Sequence, residues 1–142
     1  MRHLSDHKTN AANEQLQITV VDDAGSGGAS HHYCISGFDS ATNPSDPWRK
    51  AHGQSAKHSN IVFQNGPIKE VGVNGITHEV LLAILVDRLS AFQQGPYACE
   101  ENGKALDTLV GAQLWLRSRT DRRVHEGVEG THALDKPQAA AS

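Results

Sequence analysis

Four arginines fall within seven residues: Arg117, Arg119, Arg122 and Arg123. A guanidinium is a planar fork of donors that grips phosphate through two bonds at once. The cluster is dense for a chain whose formal net charge is −3. Two readings stand side by side. The arginines offset the dipole at a helix C-terminus, or they hold a phosphorylated ligand. Asn102 interrupts an otherwise apolar stripe of Ala98, Ala105, Leu109, Ala112 and Leu116. A buried amide left without partners costs about 1–3 kcal/mol. Its partners are either neighbouring helix groups, which would fix register, or the base or ribose of a ligand. Phe92 has the same two readings, as a core side chain or as a face on which a base stacks.

No other constellation assembles. The nine histidines include His31-His32 but show no HxxxH or Cys/His ligand spacing, so no metal site is expected. There is no GxSxG, Walker loop or GxGxxG. Gly25-Ser-Gly-Gly28 reads as a flexible turn. Asp22-Asp23 and Glu100-Glu101 read as solvated or capping pairs. Nothing brings together a nucleophile, a base and an orienting group, so no catalytic residue and no cofactor is expected.

The elements that position these residues follow from patterning. A length of 142 residues suits one domain, and 37% hydrophobic with 20% charged residues suits a soluble globular one. The negative net charge disfavours a nucleic-acid polymer as partner. Cys34 and Cys99 read as free, mostly buried thiols of a reducing compartment. The polar N-terminus lacks a signal-peptide pattern, and the longest apolar run, Val80 to Val86, is far short of a membrane span. Residence in the cytoplasm, without membrane contact, is the expectation.

The fold class expected is α+β, a small antiparallel β layer in the N-terminal half followed by a two-helix hairpin, in one domain. Residues 1–13 read as a flexible tail, 14–73 as the β layer, 76–124 as the hairpin and 125–142 as a C-terminal tail. Alternation predicts strands at Leu16–Val20, Tyr33–Phe38 and Asn60–Gln64, and a short fourth at Ile68–Val73. The polar stretch from Asp39 to Ser59 is a long loop, of the kind that is more often functional or mobile than inert. Thr77 suits an N-cap for the first helix, with Glu79 in its first turn. Gly95-Pro96 ends that helix and starts the second, which runs to about Val124. Apolar residues cover most of the first helix, more than a two-layer monomer buries, which predicts an oligomer.

Helix geometry adds a constraint. Asn102 and Arg119 are 17 residues apart, roughly 25 Å along an axis that rises ~1.5 Å per residue. One nucleotide-sized ligand cannot readily touch both from a single chain. Two hairpins packed antiparallel would bring the turn of one to the basic end of the other, giving two equivalent pockets per dimer.

The hairpin also resembles a known family. Phe63-Gln-Asn-Gly-Pro-Ile-Lys-Glu-Val-Gly-Val-Asn-Gly-Ile-Thr77 and Leu81-Leu-Ala-Ile-Leu-Val-Asp-Arg-Leu89 are similar to the phage Thoeris anti-defence family of the first-described type. So are Ala98-Cys-Glu-Glu-Asn102, Trp115-Leu-Arg-Ser-Arg-Thr120 and Gly127-Val-Glu-Gly-Thr-His132. The resemblance implies a non-enzymatic sponge in the host bacterial cytoplasm. Its ligands would be cyclic ADP-ribose isomers, the glycocyclic forms made by TIR-domain defence enzymes, held intact so that the effector is starved. It further implies a homodimer or a hexamer built as a trimer of dimers, a helical hairpin like that of anti-CBASS sponges, and a separate site for cyclic trinucleotides. By position, Phe92 would stack on adenine and Asn102 would hydrogen-bond the ligand. Arg119 and Arg123 would hold the pyrophosphate from the partner chain. The family's usual basic residue before the Gly-Val-Glu-Gly segment is Glu126 here, preceded by His125, so Arg122 stays a substitute candidate. A hydrolase of the same nucleotide and a phage structural or assembly protein are the rival functions.

Overall fold

A computed structural model describes residues 1–135, apart from the side chains of residues 48–50. The chain divides into two units, Met1–Asn65 and Gly66–Ser142. The class is α+β, as the patterning predicts.

The first unit is an antiparallel sheet in the order β1-β2-β3-β4, formed by β1 (Arg2–Leu4), β2 (Gln17–Val20), β3 (His32–Ser36) and β4 (His58–Val62). The fourth strand is not Ile68–Val73 but β1, within the stretch expected to be a flexible tail. Arg2 pairs with Val20 and Leu4 with Ile18, which covers an edge that β2 would otherwise leave bare. A short helix, α1 (Ala11–Gln15), links the two strands, with the Asn10 carboxamide accepting from the Asn13 N–H at 3.0 Å. Val20 is the one buried apolar side chain among the described residues. Near it, Tyr33 meets Phe63 edge-on at 5.7 Å.

The loops of this unit are tied by side chains. Both Asp22 carboxylate oxygens accept backbone N–H groups of His31 and His32 at 2.9–3.1 Å. Those donors, His31 first, hold the Asp22 carboxyl below the usual carboxylate range. The long polar loop is built rather than loose. It contains α2 (Pro47–His52), and buried Ser40 bonds Asp46 and accepts from the Ala56 N–H at 2.7 Å.

In the second unit, the segment expected as a strand is a single helical turn, α3 (Ile68–Val71). Pro67 precedes it and withholds a donor that a ladder would need. Gly72, at φ +72°, ends it. The hairpin follows as α4 (His78–Gln93) and α5 (Glu100–His125). Thr77 caps α4, its hydroxyl accepting from the Val80 N–H at 3.4 Å. The second helix does not start at Pro96. It starts after Cys99, whose sulfur accepts from the Asn102 N–H at 3.5 Å. That role leaves Cys99 exposed rather than buried.

Helix pairing sharpens the expected stripe. Among the partly buried positions of α5, Asn102, Leu106, Leu109, Gln113, Leu116 and Thr120 form a line that leads to Arg123. They alternate in steps of four and three, the spacing of a helix–helix seam. On α4 the seam is Leu82, Val86, Leu89 and Gln93. Ala98 and Ala105 fall outside it and are exposed. Much apolar surface is left uncovered: Val80, Ile84, Leu85 and Phe92 on α4, and Leu114 and Trp115 on α5, the last 79% exposed.

Candidate functional site

The hairpin presents two chemically different ends. At the turn, Phe92 closes the last turn of α4, because Gln93 ends the helix and Gly95-Pro96-Tyr97-Ala98 crosses to α5. The Gln93 amide pins this crossing, accepting from the Cys99 N–H at 3.0 Å and donating to the Cys99 carbonyl at 2.9 Å. Tyr97 is thereby held edge-on to Phe92, with centroids 6.4 Å apart. One helical turn earlier, the Arg88 guanidinium carbon lies 6.0 Å from the Phe92 centroid, over the ring. Asp87, Arg88, Ala91, Phe92, Gly95, Pro96 and Tyr97 line a cavity of about 410 Å³. An aromatic face, a cation and a carboxylate around such a volume suit a nucleobase.

Asn102 sits two residues inside α5, half-buried. Its backbone N–H is used by the Cys99 cap. Its carboxamide makes no hydrogen bond to another described residue. An amide so placed has its full bonding capacity left for a partner outside the chain.

The other end of α5 is cationic. Arg123 is 5% exposed, and its guanidinium is occupied. Nε donates to Glu129 at 3.1 Å, Nη1 to the Ala133 carbonyl at 3.0 Å and to Asp135 at 2.7 Å, and Nη2 to the Val128 carbonyl at 3.1 Å. The segment taken from patterning as a plain tail is therefore folded around Arg123 as far as residue 135. Gly127 and Gly130, at φ +72° and +74°, make its turns. Gly130 packs so close that an added Cβ would stand 2.9 Å from Ile68.

Arg119 and Arg122 join Arg123 on the same acid. Arg119 Nε donates to Asp135 at 3.2 Å, and Arg122 Nη2 stands 3.3 Å from the Asp135 carboxylate. Arg123 first, then Arg119 and Arg122, hold the Asp135 carboxyl down at about 2. Asp135 and Glu129 in turn raise the Arg123 guanidinium above its ordinary value. Arg122 is also 3.6 Å from Glu126, in place of the basic residue the resemblance implies. Arg117 stands apart, paired loosely with Asp121 at 3.9 Å. Three arginines thus converge on one carboxylate, and two of them also meet Glu126 or Glu129.

Of the five candidates, Phe92 and Asn102 lie at the turn end, and Arg119, Arg122 and Arg123 at the other. Both Asn102 and Arg119 belong to the one continuous helix α5, so the separation of roughly 25 Å holds. Arg88 and Tyr97 were missed in the sequence, although Arg88 is four residues before Phe92 and so shares its face. Asp135 had no local signal. A second cavity, about 580 Å³ in the first unit, is lined by Met1 and Arg2 as well as by Asp22 and Asp23. Among the described residues, no three His, Cys, Asp or Glu side chains gather as a metal would need, and no helix is long and apolar enough to cross a membrane.

The family described as Acb2/Tad1, hairpin domain, matches residues 55–121. The chain is 42% identical over 78 residues to Thoeris anti-defense 1 of Bacillus phage SBSphiJ7, a match covering 55% of this chain and 55% of that protein. The chain thus aligns with about half the length of its curated relative. Through that hairpin, whose matched span contains Phe92, Asn102 and Arg119, the chain is similar to the Thoeris anti-defence family.

Proposed function

We propose that this chain sequesters a cyclic ADP-ribose isomer, of the glycocyclic kind, without degrading it. It would thereby silence a Thoeris-type signal during phage infection. The observation that carries this reading is the placing of Phe92 and Asn102 at the turn of the hairpin and of three arginines around one carboxylate at the far end of α5, about 25 Å away. In a homodimer of antiparallel hairpins, Phe92 and Asn102 of one protomer face Arg119, Arg122 and Arg123 of the other. The uncovered apolar residues of α4 and α5 supply the dimer contact. Such a pocket holds a base and a pyrophosphate at its two ends. Its named residues bind a base and phosphates, and in this reading the bound molecule is stored rather than turned over. Assembly of such dimers into a hexamer, and a separate site for cyclic trinucleotides, extend the reading without being required by it.

The test is ligand recovery. The protein is incubated with glycocyclic ADP-ribose, denatured, and the released small molecule analysed. Unchanged ligand at close to one per pocket is the expected result. A hydrolysed or rearranged product would overturn sequestration in favour of a hydrolase. Absence of any binding would move the function to protein contacts made by the apolar helix face.

A further inference from the structure

The arginine site is already filled by the chain's own acid. Asp135 receives Arg123 at 2.7 Å, Arg119 at 3.2 Å and Arg122 at 3.3 Å. We propose that Asp135 is a specificity-determining residue of this site, a built-in competitor that excludes singly charged phosphodiesters and yields to a pyrophosphate. The proposal rests on the reading of the three arginines as the phosphate end of the pocket.

A phosphodiester carries one negative charge, as the Asp135 carboxylate does. Replacing one by the other leaves the arginines no better neutralised, and the segment from Ala133 to Asp135 must still be peeled away. A pyrophosphate diester carries two charges on adjacent centres, with four non-bridging oxygens. It can engage Arg119 and the Arg122–Arg123 pair together, which one carboxylate does only with its two oxygens. Selectivity then comes from a repulsive element set against the wrong ligand. Departure of Asp135 does not dismantle the site. Arg123 keeps its bonds to Glu129 and to the Val128 carbonyl, which lie on a different part of the same loop. Arg119, 53% exposed, is the guanidinium an incoming anion meets first.

The experiment uses calorimetric titration of the full chain with two probes. ADP-ribose carries a pyrophosphate diester, and the dinucleoside monophosphate ApA carries a single phosphodiester. The wild-type protein is expected to prefer ADP-ribose. Asp135→Asn should tighten ADP-ribose about tenfold and tighten ApA by more, so that the preference narrows. Asp135→Glu, which keeps the charge, should retain it. Unchanged or weaker binding of both probes by Asp135→Asn, with a wild-type melting curve, overturns the proposal.

If Asp135→Asn does not fold, amide exchange in the wild-type protein decides. Saturating ADP-ribose should speed exchange at Ala133, whose N–H is held by the Thr131 hydroxyl at 3.2 Å. Unaltered exchange at saturation would also sink the idea. Wild-type binding of glycocyclic ADP-ribose with no Asp135 effect refutes this inference alone. Failure of every variant to bind any pyrophosphate refutes the pocket as well.

Discussion

Gln93 and Cys99 are joined by two hydrogen bonds through one side-chain amide, 3.0 Å to the Cys99 N–H and 2.9 Å to its carbonyl. The last residue of α4 thus fixes the residue that caps α5, with Tyr97 inside the closed segment and Phe92 just before it. Gly103 leaves room for it, since an added Cβ there would stand 3.2 Å from the Gln93 nitrogen. Gln93→Ala removes both bonds while shortening a partly exposed side chain. A loss of about 1–2 kcal/mol in urea unfolding is expected. Ligand affinity should fall as well, because Tyr97 is no longer held against Phe92. A variant with wild-type stability would show that the clamp adds nothing to the turn.

The 17-residue interval between Asn102 and Arg119 can be tested by complementation. Phe92→Ala with Asn102→Ala disables the turn end, and Arg119→Ala weakens the basic end. Both sets leave Val80, Ile84, Leu85, Leu114 and Trp115 of the uncovered apolar surface in place, so oligomer mass should be unchanged by mass photometry or light scattering. Each homodimer should lose binding of glycocyclic ADP-ribose. A mixed dimer of the two variants should recover one working pocket of two, read as half the ligand stoichiometry. Recovery of none would show that each pocket is built within one chain.

Acid should release the folded C-terminal segment at unusually low pH. The Asp135 carboxyl is held at about 2, against an ordinary 3.8. A depressed carboxyl contributes stability that is fully present above its unfolded value and is lost as pH falls through the folded one. The Arg123 side-chain N–H signals in NMR should therefore keep their bonded shifts down to about pH 4 and lose them between there and about 2. Loss centred above pH 4 would mean that Asp135 is not the group that holds them.

How much of this was legible in the sequence differs by element. Patterning located β2, β3 and β4 within a few residues, although burial does not alternate along them. The Thr77 cap and the apolar run after it located α4. The basic cluster, the lone amide and the aromatic were legible as residue types, and helix rise alone put them about 25 Å apart. The Arg88–Phe92 stack is also a matter of helical spacing, one turn apart on a known helix.

The sequence by itself determined the class of the fold, the helical hairpin and the separation of its two candidate ends. Each follows from periodicity and from the fixed rise of a helix, which are local properties. Tertiary structure alone decided the rest. Arg2–Leu4 became a strand because β2 offered it an edge. Ile68–Val71 became a helical turn because Pro67 cannot join a ladder. Arg123 became buried because residues 127–135 return to it, and Asp135, twelve residues on, became its partner. No spacing rule anticipates such a return. It depends on whether a loop that costs entropy to order is met by charges that need it.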